Sequence, residues 1–262
     1  MLRCRRIPLF PNSSRMTSKS APLAVYVFLI VLFYNKTDGF QKTAGVFNYC
    51  FFKSIPVFAL SALVYFEHGG LKGANRTSHA LGLFFGACGD FIISFHQHGL
   101  VTGAVAFALG HLAYMGTFAL QLHKVSGELA TVCLLYALFV NHYFLMPQFW
   151  FHPISTLILM GYSLILGTAL VISGSLYFRG TKAQTPRQMN NLLRFLGYAL
   201  FFLSDSMLLL DHAGQPLPYP AVLILCTYYA SQYFILMGSV HSEEILESPT
   251  YLKNRAMAKA SM

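Results

Sequence analysis

Two carboxylates stand inside runs that are otherwise apolar or small, Asp90 in GACGDFIIS and Asp205 in FFLSDSMLLL. The other acids, Asp38, Glu67, Glu128, Asp211, Glu243, Glu244 and Glu247, fall in tails or at loop edges. An ionised side chain at the centre of a bilayer costs at least ~2.5–3.5 kcal/mol, so an acid in such a run faces the interior of a helix bundle and marks function by default. A single buried acid can also cap a neighbouring helix or bond a tyrosine. Two of them invite a different reading, because paired carboxylates in unequal surroundings divide between them the tasks of giving a proton and of staying anionic.

Other polar side chains recur at helical spacing in the same kind of context. In FALGHLAYM, His111 and Tyr114 lie three apart on one face. In TYYASQYF, Tyr228, Ser231 and Gln232 share another face, with Tyr229 beside them. Arg194, Tyr198, Phe201 and Asp205 follow one another along a stripe that would be costly against lipid. Lys53, in FFKSIPVF, can reach the same depth from the start of its segment or serve as an interfacial anchor. Gly82, Gly86 and Ser94 share the face of Asp90 and let another helix approach closely. Packing alone accounts for many a lone histidine or tyrosine, so the two acids carry the functional reading and His111, Tyr114, Tyr198, Tyr228, Tyr229, Gln232 and Lys53 support it.

The elements that hold these residues are apolar helices. Of the 262 residues 55% are hydrophobic, only 10% are charged, and the mean hydropathy is +0.54. A soluble domain carries about a quarter charged residues. Segments 20–34, 51–66, 78–95, 99–122, 129–146, 153–175, 190–210 and 218–240 are candidate spans, which predicts an all-α, multi-pass bundle of eight transmembrane helices. Residues 1–19 form a basic tail, 20–240 the membrane domain and 241–262 a polar tail. With both termini cytoplasmic, fourteen Lys and Arg residues lie on the cytoplasmic side, and only Lys36, Lys42 and Lys53 lie opposite, while Arg194 falls within a span. The asymmetry follows the positive-inside rule. In this topology the third and seventh helices run the same way and place Asp90 and Asp205 at one depth, about two-thirds along each.

The net charge of +9 does not point to nucleic acid, since the basic residues are scattered between apolar runs and form no stripe. The cysteines, Cys4, Cys50, Cys88, Cys133 and Cys226, have neither CxxC spacing nor an even count, so no disulfide framework or zinc site is expected. His96 and His98 lack the partners a metal would need. The start MLRCRRIPLF and the apolar stretch that follows read as a retained signal anchor, there being no small-residue cleavage site. Asn35 heads an NKT sequon too near the membrane to report on sidedness.

GACGDFIIS, FALGHLAYM, FFLSDSMLLL and TYYASQYFI, in this order and spacing, resemble the YhhN-like lysoplasmalogenase family, and FFKSIPVF resembles the Lys-x-x-Pro opening of the second helix in its animal members. The resemblance covers about residues 50–240. It implies an eight-helix membrane hydrolase that cleaves the vinyl-ether bond of lysoplasmalogens with water, releasing a fatty aldehyde and glycerophosphoethanolamine or -choline. It implies catalytic roles for Asp90 and Asp205, a lysophospholipid partner in the bilayer, and residence in the endoplasmic reticulum. The chemistry agrees with the residues. Hydrolysis begins with a proton delivered to the carbon beta to oxygen and passes through an oxocarbenium ion, so it needs an acid and a nearby negative charge, as glycosidases do. It calls for no metal, no cofactor and no nucleophilic serine, and the sequence has no GxSxG. Lys53 or Arg194, on opposite sides, would hold the phosphate. The competing reading is a proton-coupled transporter or lipid flippase using the same acids, although no convincing repeat relates 20–122 to 129–240.

Overall fold

In a computed structural model, residues 13–42, 45–96, 99–181 and 186–247 are described. Among the described residues the chain is all-helical, with one isolated bridge between Leu122 and Thr181. The helices are α1 (Ser13–Lys36), α2 (Val46–Tyr65), α3 (Gly73–Phe95), α4 (Gly99–Met115), α5 (Gly127–Val140), α6 (Met146–Phe149), α7 (Pro153–Arg179), α8 (Met189–His212) and α9 (Pro220–Glu247). The short α6 continues α5 through a π-helical turn at Asn141–Leu145, so among the described residues the nine helices make eight rods. Six of these rods are long and apolar enough to cross a membrane, and shorter apolar helices cover Ala21–Lys36 and Gly99–Met115.

Helix ends follow local chemistry. Pro153 and Pro220 open α7 and α9, where a missing N–H is harmless. Gly180, at φ 79°, ends α7 in a backbone conformation that residues with a Cβ rarely adopt. The expected span 99–122 stops as a helix at Met115, continuing through Gly116 into a 3₁₀ turn at Ala119–Gln121. At the other boundary α9 runs past residue 240 to Glu247, and Glu243 there accepts hydrogen bonds from the Lys72 backbone N–H at 2.9 Å and from Asn75 Nδ2 at 3.0 Å.

The most extensive helix contacts join α8 to α9 and α3 to α4 and α2, whereas α5 packs mainly on α7. The α3–α4 contact depends on absent side chains. A Cβ on Gly82 would lie 2.4 Å from the Tyr114 ring, one on Gly89 2.8 Å from the Phe107 ring, and one on Gly110 3.0 Å from the Gly82 carbonyl. These glycines bring the two backbones together and let the Tyr114 and Phe107 rings lie across α3. The outward faces of α1, α2 and α5 expose Phe28, Phe58, Leu134 and Leu138, as a lipid-facing surface requires.

Candidate functional site

Asp90 is 2% exposed and both of its oxygens are engaged. The phenol of Tyr228, from α9, donates to Oδ2 at 2.7 Å, and Lys53 Nζ, from α2, lies 3.5 Å from Oδ1. The same ammonium donates to Ser94 Oγ at 3.3 Å, one turn beyond Asp90. Behind Lys53, the Tyr229 hydroxyl donates to the Lys53 carbonyl at 2.7 Å, and Tyr26 of α1 donates to the Tyr229 carbonyl at 2.9 Å. Four helices thus fix one carboxylate, and a buried charge is retained only where such partners surround it.

Asp205 is held differently. It is partly buried, accepts a hydrogen bond on Oδ2 from Tyr162 of α7, and lines a cavity of about 110 Å³ whose walls include Ile93, Ala104, Phe107, Tyr136 and Leu166. Among the described residues no cation lies within ion-pair distance of it. It is within electrostatic range of Asp90 and Lys53. Phe107 lines the cavity and meets Tyr228 edge-on with centroids 5.9 Å apart, and Phe201 meets Tyr228 at 5.5 Å.

The remaining polar residues line up along the bundle interior. His111 is 1% exposed, its ring 4.5 Å from Phe201 and 6.0 Å from Tyr162, and neither ring nitrogen has a hydrogen-bond partner among the described residues. Tyr114 donates to Gln232 Oε1 at 2.7 Å, both side chains being buried. The Gln232 amide and the Tyr228 hydroxyl both border Gly86. Tyr198 is fully buried, its ring 5.8 Å from the His111 ring, and its hydroxyl has no partner among the described residues.

Arg194 belongs to another part of the molecule. Eleven residues before Asp205, it lies about 16 Å away along the helix axis. Its guanidinium is occupied by Asn191 Oδ1 at 3.2 Å and Ser242 Oγ at 3.1 Å, and it lies 4.8 Å from the centre of the Phe118 ring. These contacts tie α8 to α9, and they leave Lys53 as the cation beside Asp90.

Two residues escaped the sequence reading. Tyr162, in the run LILMGYSLIL, carries the same signal as any packing tyrosine, and its partner is 43 residues away. His79, fully buried with its ring 4.9 Å from Tyr114, sits near the start of its span, where polar residues are ordinary. His98 lies outside the described residues, and His96 is exposed at the end of α3.

The YhhN family matches residues 48–239. Among curated proteins, the chain is 30% identical over 209 residues to the lysoplasmalogenase TMEM86A of Bos taurus, covering 74% of this chain and 79% of the relative. It is 27% identical over 208 residues to lysoplasmalogenase TMEM86A of Homo sapiens, with the same coverage. To lysoplasmalogenase TMEM86B of Sus scrofa it is 28% identical over 193 residues, covering 74% and 76%. No solved structure matches. A match through all helices from α2 to α9, with both intramembrane acids inside it, makes this chain a member of the YhhN family.

Proposed function

We propose that this chain is a multi-pass membrane hydrolase that cleaves the vinyl-ether bond of lysoplasmalogens with water, giving a fatty aldehyde and the glycerophospho-ethanolamine or -choline. The observation that carries the reading is the pair of intramembrane carboxyls, Asp90 and Asp205, each hydrogen-bonded by a tyrosine from another helix, with Asp205 lining an apolar cavity. The lysoplasmalogenase names of the relatives supply the substrate class.

One acid protonates the vinyl carbon beta to the ether oxygen, and the other stabilises the oxocarbenium ion. Water then adds, and the hemiacetal collapses to aldehyde and alcohol. Apolar walls suit the alkenyl chain and strengthen both electrostatic steps by excluding water. Tyr228 and Lys53 orient Asp90, while His111, Tyr114, Tyr198, Tyr229 and Gln232 form the buried shell behind the acids. The proposed setting is the endoplasmic reticulum with both termini cytoplasmic, which accords with the excess of Lys and Arg on the side of the termini.

The test is aldehyde release from lysoplasmenylethanolamine by purified protein, with the acyl lysolipid as control. Asp90→Asn and Asp205→Asn, each folded, are both expected to fall at least about a hundredfold. Near-normal turnover in either removes the paired-acid mechanism.

A further inference from the structure

The two acids are not equivalent, and their contacts divide the labour between them. Both oxygens of Asp90 are committed, Oδ1 to the Lys53 ammonium at 3.5 Å and Oδ2 to the Tyr228 phenol at 2.7 Å. A carboxyl in that position acts only as an acceptor. Asp205 commits Oδ2 to Tyr162 and has Oδ1 left over, and it is the acid that lines the cavity. Asp90 is not among the residues that line the cavity; Phe107, which is, meets edge-on the ring of Tyr228, the donor to Asp90.

We propose that Asp205 is the proton donor to the vinyl ether, that Tyr162 is the positioning residue that aims its proton, and that Lys53 fixes Asp90 as the standing negative charge of the site. This rests on the hydrolase reading above and goes beyond it by assigning the roles. The Asp205 O–H bond breaks as the alkene electron pair takes its proton, forming the new C–H bond at the beta carbon. The cation left at the carbon bearing oxygen is stabilised by the charge that Asp90 holds, and the Phe107 ring offers a π surface to it. Water adds to that carbon and gives one proton to the Asp205 carboxylate, restoring the acid. In the hemiacetal the C–O bond to glycerol then breaks, its electrons leave on the glycerol oxygen, and the hemiacetal hydroxyl proton ends there. No oxidant, metal or covalent adduct enters the balance.

A carboxyl that donates into a cavity can be replaced by a small acid diffusing into the space it leaves, whereas one buried outside the cavity and locked to a lysine cannot. The protein in detergent carries Asp205→Ala or Asp90→Ala, folding is checked by gel filtration, and aldehyde release is followed with and without formate buffered at a pH low enough for part of it to be formic acid, against a protein-free control. Asp205→Ala is expected to lose about a hundredfold or more and to regain at least tenfold of it with formate, while Asp90→Ala stays inactive. Rescue of Asp90→Ala alone overturns the assignment and leaves the hydrolase reading standing. Full turnover by either alanine variant without formate overturns both.

Tyr162→Phe supplies the second measurement. It is expected to lower kcat about tenfold to a hundredfold at constant KM. In D₂O one deuteron enters carbon 2 of the aldehyde, trapped at once by borohydride reduction. Wild-type protein places it on one face, and Tyr162→Phe is expected to scatter it over both. A variant that keeps both the rate and the facial selectivity overturns the positioning role, whatever the formate result.

Discussion

Removing Lys53 is the perturbation that the geometry lets one size. Its ammonium is 3.5 Å from Asp90 Oδ1, the two side chains being 12% and 3% exposed. At that distance two unit charges attract by about 5 kcal/mol for an effective dielectric of roughly 20. Desolvation of both groups offsets much of this, so the pair adds little net stability over an apolar isostere. Breaking it from one side is another matter. Lys53→Met leaves a carboxylate with Tyr228 alone and is expected to destabilise by about 3–5 kcal/mol. Asp90→Asn leaves an ammonium with Ser94 alone, at a similar cost. The double variant leaves no orphan charge, and its destabilisation is expected to fall short of the sum of the singles by about 3 kcal/mol, far outside the scatter of additive sites. Unfolding in mixed micelles with rising SDS fraction, followed by circular dichroism, measures all four proteins on one scale. Additive losses, or a Lys53→Met loss under about 1 kcal/mol, would refute the claim that this lysine and this acid form a working pair.

Tyr228→Phe removes a charge-assisted hydrogen bond and keeps the ring, so aldehyde release by the folded protein should drop about tenfold to a hundredfold, with a stability loss of about 1.5–3 kcal/mol in the same titration. Gly82→Ala puts a methyl 2.4 Å from the Tyr114 ring and should cost about 1–3 kcal/mol, read as a lowered midpoint in the same SDS titration. Arg194→Lys replaces a fork that reaches both Asn191 and Ser242, and a loss of about 1.5–3 kcal/mol in stability is expected with kcat for aldehyde release unchanged in the folded fraction. Ala104→Trp fills the cavity beside Asp205, and turnover of long-chain alkenyl lysolipid should fall by at least tenfold while circular dichroism stays the same.

The rods of this fold are legible in the sequence because a bilayer makes apolar length the dominant signal, and hydropathy finds α3, α7 and α8 within a few residues. Asp90 and Asp205 are legible for the complementary reason, that a charge in hydrocarbon is too costly to be accidental. Tyr162 is not. A tyrosine inside an apolar helix buries its ring whether or not its hydroxyl has work, and only the folding of α7 against α8 reveals a carboxylate within reach. Lys53 is intermediate: its position near a helix start suits an interfacial anchor equally well, and the choice depends on how α2 is rotated against α3. The π turn leaves no trace in hydropathy either, since one extra residue in a helical rod changes neither its length nor its apolarity appreciably.

That extra residue decides what stands opposite Asp205. Tyr136 and Val140 line the cavity four residues apart, and an unbroken α-helix would next present Phe144 to the same space. The π turn at Asn141–Leu145 delays the register by one, so Leu145 faces inward and is 5% exposed, while the Phe144 ring is turned partly aside. The room beside the acid therefore depends on a single inserted backbone unit: a regular α-helix of the same sequence would put the Phe144 ring there, whereas deleting one residue from 141–143 would leave Leu145 the fourth residue after Val140 and still facing the cavity.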